Sequence, residues 1–400
     1  MVSASIGERV AIARRRRGLS QAVLANLIGR SESWLSQVER GVRSVDRLPV
    51  LMDLAEVLHV EVEALLGRPW KFAPNGTSSP DELSEVRHYL NGYAHLFPFA
   101  EADVSLPDLK VAITDGHTDY QGARYARAAT NLTGLLTAAD VLDRRPQPHA
   151  LDAIQIYVSG YLLAAKLLCK LGAAELAMLA ADRAASAAMH GDSEADRLLT
   201  GYQVVAGLLR ADQVEDAEAL ALRLVEPIAA PGIEDNPDLL SAAGSLWLLT
   251  AVIAARRTEK YEALRRLDQA TVLAELLGRD ANYGWTAFGP TNVAIHRVSV
   301  AAELGDPGEA LAAAALVHLD QLPNGLTGRR AQLHVELAWA NAQGKRDSEA
   351  TLHLLEAEKI APQLLRYNPL VREHIREMLA RSKSSTTMLH DLAVRAGVLD

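Results

Sequence analysis

With 400 residues, 49% of them hydrophobic, and a formal net charge of −9, the chain has the make-up of a folded protein of two or three domains. Ala and Leu number 67 and 62, while aromatics make up only 5%, which favours helices over pleated sheets and predicts an all-α protein. A single cysteine, Cys169, excludes a disulfide scaffold and a Cys-built zinc module, and 16 Pro with 26 Gly are too few for a disordered or fibrous chain.

No apolar run approaches the roughly 18 residues of a membrane span. The best, residues 246–255, is interrupted by Thr250. The opening MVSASIGERV lacks the apolar core of a secretory signal. The expectation is a cytoplasmic protein with no membrane partner. The charge is uneven. Residues 1–47 hold nine Arg against four acids, +5, which leaves −14 for the remainder. Arg14 to Arg17 are consecutive. A basic end on an acidic body points to a polyanion partner at one end, although a short Arg run is also an ordinary solvated helix end.

In chain order, residues 6–67 read as five short helices. The first runs from Ile6 to Arg17 and stops at Gly18. Ser20 caps a second, Gln21 to Ile28, ended by Gly29. Ser31 caps a third, Glu32 to Arg40, closed by Gly41. Two helices of about eight residues joined by a three-residue, Gly-containing turn are a helix-turn-helix. Leu51, Leu54, Ala55 and Leu58 fall at helical spacing on a fourth helix, and a short fifth spans Val62 to Leu66.

The order Leu19-Ser20-Gln21, Leu24-Ala25, Gly29, Ser31, Leu35-Ser36, Glu39 and Gly41 resembles the XRE family of DNA-binding domains, that of the lambdoid repressors and Cro. The resemblance covers about 60 residues and closes on Leu65-Leu66-Gly67. It implies a five-helix lambda-repressor-like domain that binds double-stranded DNA. It also implies a structural salt bridge between Arg14 and Glu39, a phosphate-gripping or bracing Gln21, and base-reading positions at Glu32, Ser33, Trp34 and Gln37. Gln can bond adenine at two points, Ser can bond either base of a pair, and Glu can accept from cytosine. Trp34 either stacks on a thymine methyl or a sugar, or packs back onto the second helix. Glu32 reads a base or repels the backbone. Ser31 and Ser36 can donate to phosphates, and Arg15, Arg16, Arg17, Arg40, Arg43 and Arg47 add charge along the backbone.

Residues 68–84, RPWKFAPNGTSSPDELS, form a linker by composition. Trp70 and Phe72 anchor it to a domain or contact a dimer mate. Residues 85–400 read as repeated antiparallel helix pairs. Turns recur near Gly172, Ala211-Asp212, Thr258-Glu259, Gly305-Asp306 and Gly344-Lys345, a period that signifies an α-solenoid. Pairs are predicted at about 149–189, 194–229, 237–278, 289–318 and 326–361, with an irregular pair before them and a capping helix near 369–382. Ala174, Ala177, Ala180, Ala181, Ala184, Ala185 and Ala188 form a close-packing seam. Leu304-Gly305-Asp306-Pro307-Gly308-Glu309-Ala310-Leu311 resembles the inter-helix turn of a tetratricopeptide repeat. No repeat carries that family's full Trp-Leu-Gly-Tyr set.

A stacked solenoid offers a concave face to an elongated ligand. The stretch from Asn282 to Asn292 holds Tyr283, Trp285 and Phe288 ahead of a helix that starts at Pro290. The N-terminus of that helix, with Asn292 and His296 on one face, can receive a carboxylate or phosphate. The same stretch also reads as an inter-repeat loop pinned by buried aromatics. The candidate effector contacts are Tyr161, Tyr202, Trp247, Arg256, Trp285, Asn292 and His296, each with a packing role as the alternative.

No Gly-rich phosphate loop and no close metal-ligand spacing occurs among the 12 His, so no metal, no cofactor and no catalysis are expected. Cys169 reads as a small buried hydrophobe. The combination is similar to the peptide-pheromone receptors of Gram-positive bacteria. It implies a homodimeric transcriptional regulator whose repeat domain binds a peptide or small-molecule effector. The rival is a DNA-binding scaffold, or an antitoxin-like regulator, whose repeats hold a partner protein. An enclosed polar and aromatic pocket would favour the first, and a broad open face the second.

Overall fold

The computed structural model describes residues 5–17, 19–43, 45, 48–58, 60, 65, 81–93, 96–97, 104–144, 150–211, 213–228, 232–381 and 387–399, and among these there is no strand. The chain divides into two compact units, a head of residues 1–76 and a body of residues 77–400.

The head opens with α1 (Ile6–Arg16), α2 (Gln21–Leu27), α3 (Glu32–Glu39) and α4 (Leu48–Leu58). Each of the first three starts at a serine whose hydroxyl accepts an otherwise unpartnered amide: Ser5 from Glu8, Ser20 from Val23 and Ser31 from Trp34. Glu8 returns a bond to the Ser5 amide and completes a capping box. Gly29 and Gly41, with φ of 64° and 70°, turn the chain out of α2 and α3. Val10, Leu24, Leu35, Leu54 and Leu65 form a core sealed from solvent. Gly7 lets α1 lie directly on α3, since a Cβ there would stand 1.9 Å from the carbonyl oxygen of Val38. The predicted fifth helix lies outside the described residues apart from Leu65, which is buried. Gly18, Trp70 and Phe72 also lie outside them, and helix begins again at Asp81, three residues before the predicted end of the linker.

The body starts with α5 (Asp81–Asn91), α6 (Leu106–Gln121), α7 (Tyr125–Thr130) and α8 (Leu132–Arg144). Five pairs follow: α9 (Ala150–Lys170) with α10 (Ala174–Ala188), α11 (Glu194–Arg210) with α12 (Val214–Val225), α13 (Pro237–Arg256) with α14 (Lys260–Leu277), α15 (Pro290–Glu303) with α16 (Pro307–Ala314), and α17 (Thr327–Gln343) with α18 (Asp347–Ile360). The end is formed by α19 (Pro362–Tyr367), α20 (Pro369–Arg381) and α21 (Thr387–Arg395). Within each pair the turn closes in one way. The amides of Ala173, Gln213, Glu259, Asp306 and Arg346 each reach back five residues to a carbonyl of the first helix, at 2.9–3.0 Å. Thr258 and Lys345 adopt φ of 61° and 58° where Gly172 and Gly305 stand in the other repeats. Ala177, Ala180, Ala181, Ala184 and Ala188 are buried along α10, where small side chains let helices approach closely.

The first helices touch in succession, α9 to α11 to α13 to α15 to α17, and α6 touches both α9 and α17. The inner layer therefore returns on itself as a ring of six helices, more closed than the open concave face expected. Two of these, α9 and α13, are long and apolar enough to cross a membrane by length and composition, contrary to the reading of the sequence. Both are core helices, with 61% and 83% of their most apolar stretches buried inside the protein.

Candidate functional site

In the head, the guanidinium of Arg14 forks onto Glu39, with Nε 2.6 Å from Oε1 and Nη2 2.9 Å from Oε2, and its Nη1 donates to the Leu19 carbonyl at 2.7 Å. Gln21 Nε2 donates to the second Glu39 oxygen at 2.6 Å. One carboxylate thus fastens α1 and α2 to the end of α3. Burial alone would push the Glu39 carboxyl up, but the bonds from Arg14 and Gln21 and the charges of Arg14 and Arg15 hold it below the ordinary carboxylate value. The bond to Glu39 in turn raises the pKa of Arg14. The Gln21 amide is turned inward as a brace.

Along α3, Glu32 and Ser33 are exposed, and Ser36 and Gln37 are half-buried. Trp34 packs against the head core with the Arg30 guanidinium 5.7 Å from its ring centre, so its bulk serves the fold. Arg15, Arg17, Arg40 and Arg43 are exposed. Arg15 donates to Ala11 O at 3.1 Å, Arg40 to Ser36 O at 3.2 Å, and Arg17 to Val57 O. Ser31 accepts from Trp34 N at 3.2 Å, and its hydroxyl proton remains available to an acceptor. The side chain of Arg16, and Arg47 altogether, lie outside the described residues.

In the body, the loop between α14 and α15 enters the ring. Trp285 stacks on His117 of α6 with ring centres 4.8 Å apart and planes within 2°. Its carbonyl accepts from Gln121 and from Lys166 of α9, both at 3.3 Å. Gln121 and Asn282 exchange side-chain amide bonds of 2.9 and 2.8 Å. Phe288 is wholly buried over Gly244 of α13, where a Cβ would lie 2.0 Å from the ring. Trp285 and Ala287 hold φ of 60° and 57°, a strained region for residues with side chains that such packing enforces. The ring interior is thus partly filled by the protein's own loop.

The expected anion site at the start of α15 is corrected by this loop. Asp280 Oδ1 accepts from Thr291 N at 3.0 Å and occupies the helix N-terminus. Tyr161 and Trp247 are core residues, and the Tyr161 hydroxyl donates to buried Asp140 at 2.8 Å. Arg256 is engaged by Glu303 at 3.0 Å. Asn292 is buried and its carbonyl bonds His296 Nδ1 at 2.8 Å, while burial pushes His296 down to about 3 and keeps it neutral. Of the seven expected effector contacts, Tyr202, Trp285 and His296 are half-buried rather than sealed in the core.

The interior is also lined by residues that sequence reasoning passed over. Burial holds His117 well below the ordinary histidine value, with the Lys166 charge acting in the same sense and a bond to the Ser159 carbonyl acting against it. Burial lowers Lys166 and Lys170 to about 8. Glu336 of α17 is raised to about 7 by burial, against bonds from Ser299 at 2.7 Å and Gln332 at 3.3 Å. Lys166 and Lys170 lie four apart in the otherwise apolar last turns of α9, and that was the legible signal.

Residues 5–66 match the helix-turn-helix domain family. The head is a helix-turn-helix DNA-binding domain followed by an all-helical repeat body. No curated protein sequence matches the chain. Among solved structures, PlcR of Bacillus thuringiensis in complex with the peptide PapR7 and DNA aligns at 10% identity and a TM-score of 0.28, over 95% of this chain and 99% of that one. ComR of S. thermophilus, in complex with DNA and its signalling peptide ComS, aligns at 14% identity and a TM-score of 0.26, over 94% and 99%.

Proposed function

We propose that the chain is a cytoplasmic transcriptional regulator, in which α3 reads operator DNA and the body binds an effector and acts by binding, without catalysis. The observation that carries this is the head: a matched helix-turn-helix whose third helix is locked from within by Arg14, Glu39 and Gln21, with Glu32 and Ser33 exposed and Gln37 half-buried on it, and in this reading those three would face the major groove. Arg15, Arg17, Arg40 and Arg43 would neutralise phosphates. The body is net acidic and would be repelled by the duplex, so contact is left to the head.

Two heads on a two-fold homodimer would match half-sites about one helical turn apart. An effector that changes the packing of the ring would alter head spacing and so operator affinity. The effector reading is favoured over a protein-binding scaffold because the first helices form a closed ring lined by aromatic and polar groups, whereas a partner protein needs a broad open face. The test is to map bound DNA genome-wide and then measure operator affinity of the Ser33→Ala, Gln37→Ala double variant. Loss of operator binding by a folded variant is expected, and unchanged affinity would overturn the assignment of α3 as the reading helix.

A further inference from the structure

Some cations packed within this protein are paired. Arg14 has Glu39, and Arg266 lies 2.7 Å from Glu218 and 2.8 Å from Glu262. Others, Lys166 and Arg372 among them, have no carboxylate, and three such cations stand together in the body. Lys170 ends α9, Arg210 ends α11, and Arg329 stands in the first turn of α17. Among the described residues none of the three has a carboxylate within ion-pairing distance.

Their placement follows from the ring. The start of α17 abuts the corner between α6 and α7, where a Cβ on Gly328 would lie 3.3 Å from Gln121 O and 3.7 Å from the Tyr125 hydroxyl. Lys170 Nζ stands 5.9 Å from the centre of the Tyr125 ring, and Tyr120 packs 5.8 Å from the same ring. Arg210 and Arg329 both repel a proton on Lys170, and Arg329 acts on the hydroxyls of Tyr120 and Tyr202. The Arg329 charge also acts on Glu336, whose carboxyl accepts from Ser299 and Gln332. Lys170 and Arg329, both half-buried, and the exposed Arg210 beside them repel one another, so an anion seated among them recovers both the repulsion and the missing hydrogen bonds. Arg210 is exposed, which leaves the space open to solvent on the α11 side.

We infer that Lys170, Arg210 and Arg329 form a site for an oxyanion group, a phosphate or a carboxylate, of the ligand received by the body, with Tyr120, Tyr125 and Tyr202 as its walls. This rests on the effector reading above only for what the anion does, not for whether it binds. Two arginines and a lysine among aromatic rings suit a small ligand that joins an anionic end to a flat or apolar body.

The experiment is calorimetric titration of the full-length protein, without DNA, using inorganic phosphate, tetra-alanine with a free carboxyl end, and tetra-alanine amide. Saturable binding of phosphate or of the free-acid peptide, at about 1 mM or tighter, is expected, with no binding of the amide. Phosphate as the tighter probe assigns a phosphorylated ligand, and the free-acid peptide assigns a peptide carboxyl end. The Lys170→Met, Arg329→Met variant should lose at least about tenfold in that affinity. It should also unfold at the same or a higher temperature when no anion is present, because a repulsion has been removed. A structural pair of cations would do the opposite. Absence of binding by both anions, binding that persists in the variant, or a lower unfolding temperature of the variant would each overturn the site. Anion binding that is lost in the variant yet leaves wild-type operator affinity unchanged supports the site and overturns the effector reading instead.

Discussion

Head and body end their helices by the same device and treat interior charge in opposite ways. The amides of Leu19 and Arg30 in the head reach back five residues, as do those of Ala173, Glu259 and Arg346 in the body. In the head, Arg14, Glu39 and Gln21 satisfy one another, and the groups left for recognition face outward on α3. In the body, Lys170 and Arg329 are half-buried without a carboxylate, and the recognition surface we propose is the interior. A saturated network holds a shape, whereas an unsaturated one waits for a partner.

The sharpest way to break this comparison is to unsaturate the head. Glu39→Ala leaves the largely buried Arg14 guanidinium without its partner and should cost about 3 kcal/mol, against well under 1 kcal/mol for an exposed pair such as Arg376–Glu373. Hydrogen exchange over residues 20–40 would show it as lost protection, together with loss of DNA binding. If protection is unchanged, Glu39 is not the fastener described.

Next in size is the seat of the interior loop. Gly244→Ala drives a methyl to 2.0 Å from the Phe288 ring, and overpacking of this kind costs about 1–3 kcal/mol. Residues 279–289 should exchange hydrogen faster, while the head stays as it was. Equal protection of the loop would mean that its position does not depend on Gly244.

Much of this was legible in the sequence, for definite reasons. Serine caps and C-terminal glycines are local signals, so α1 to α3 fall within a residue or two of their predicted limits. The five body pairs were legible because Leu-Gly or equivalent turns recur between Ala-rich helices. The ring was not, because closure of α6 onto α17 brings together residues more than 200 apart, and no local pattern encodes that. Trp247 and Tyr161 were over-read as ligand contacts, since aromatics on first helices serve core and groove equally well. Arg329 was missed because one arginine near a helix start looks like solvated surface until the fold sets its neighbour Gly328 against Gln121 and Tyr125.

A third test separates reading from anchoring within the head. Gln37→Ala should lower affinity roughly tenfold for the cognate operator and little for random DNA, with an unchanged salt slope. Arg43→Ala should weaken both alike and reduce the salt slope by about 1. Binding titrations at several salt concentrations distinguish the two. Equal loss on all sequences from Gln37→Ala would place it on the backbone.

The smallest expected effect concerns Glu336 and tests the electrostatics of the interior. Its carboxyl is raised from 4.5 to about 7 in the folded protein, with burial as the main cause. The folded state therefore holds this proton more tightly than the unfolded chain does. The stability contributed by the protonated carboxyl is present at low pH and is lost as pH rises from about 4.5 to about 7. His296, lowered to about 3, acts in the opposite sense, because the unfolded chain takes up that proton as pH falls below about 6.5. The two partly cancel in the wild type, so the informative quantity is the difference between wild type and Glu336→Gln. Denaturation at pH 5 and pH 8 should show the variant gaining relative stability at pH 8, on the order of 1 kcal/mol once the solvent reaching this half-buried group is allowed for. A difference that does not change with pH would mean that Glu336 titrates as if exposed, and the ring interior would then be wetter than its packing implies.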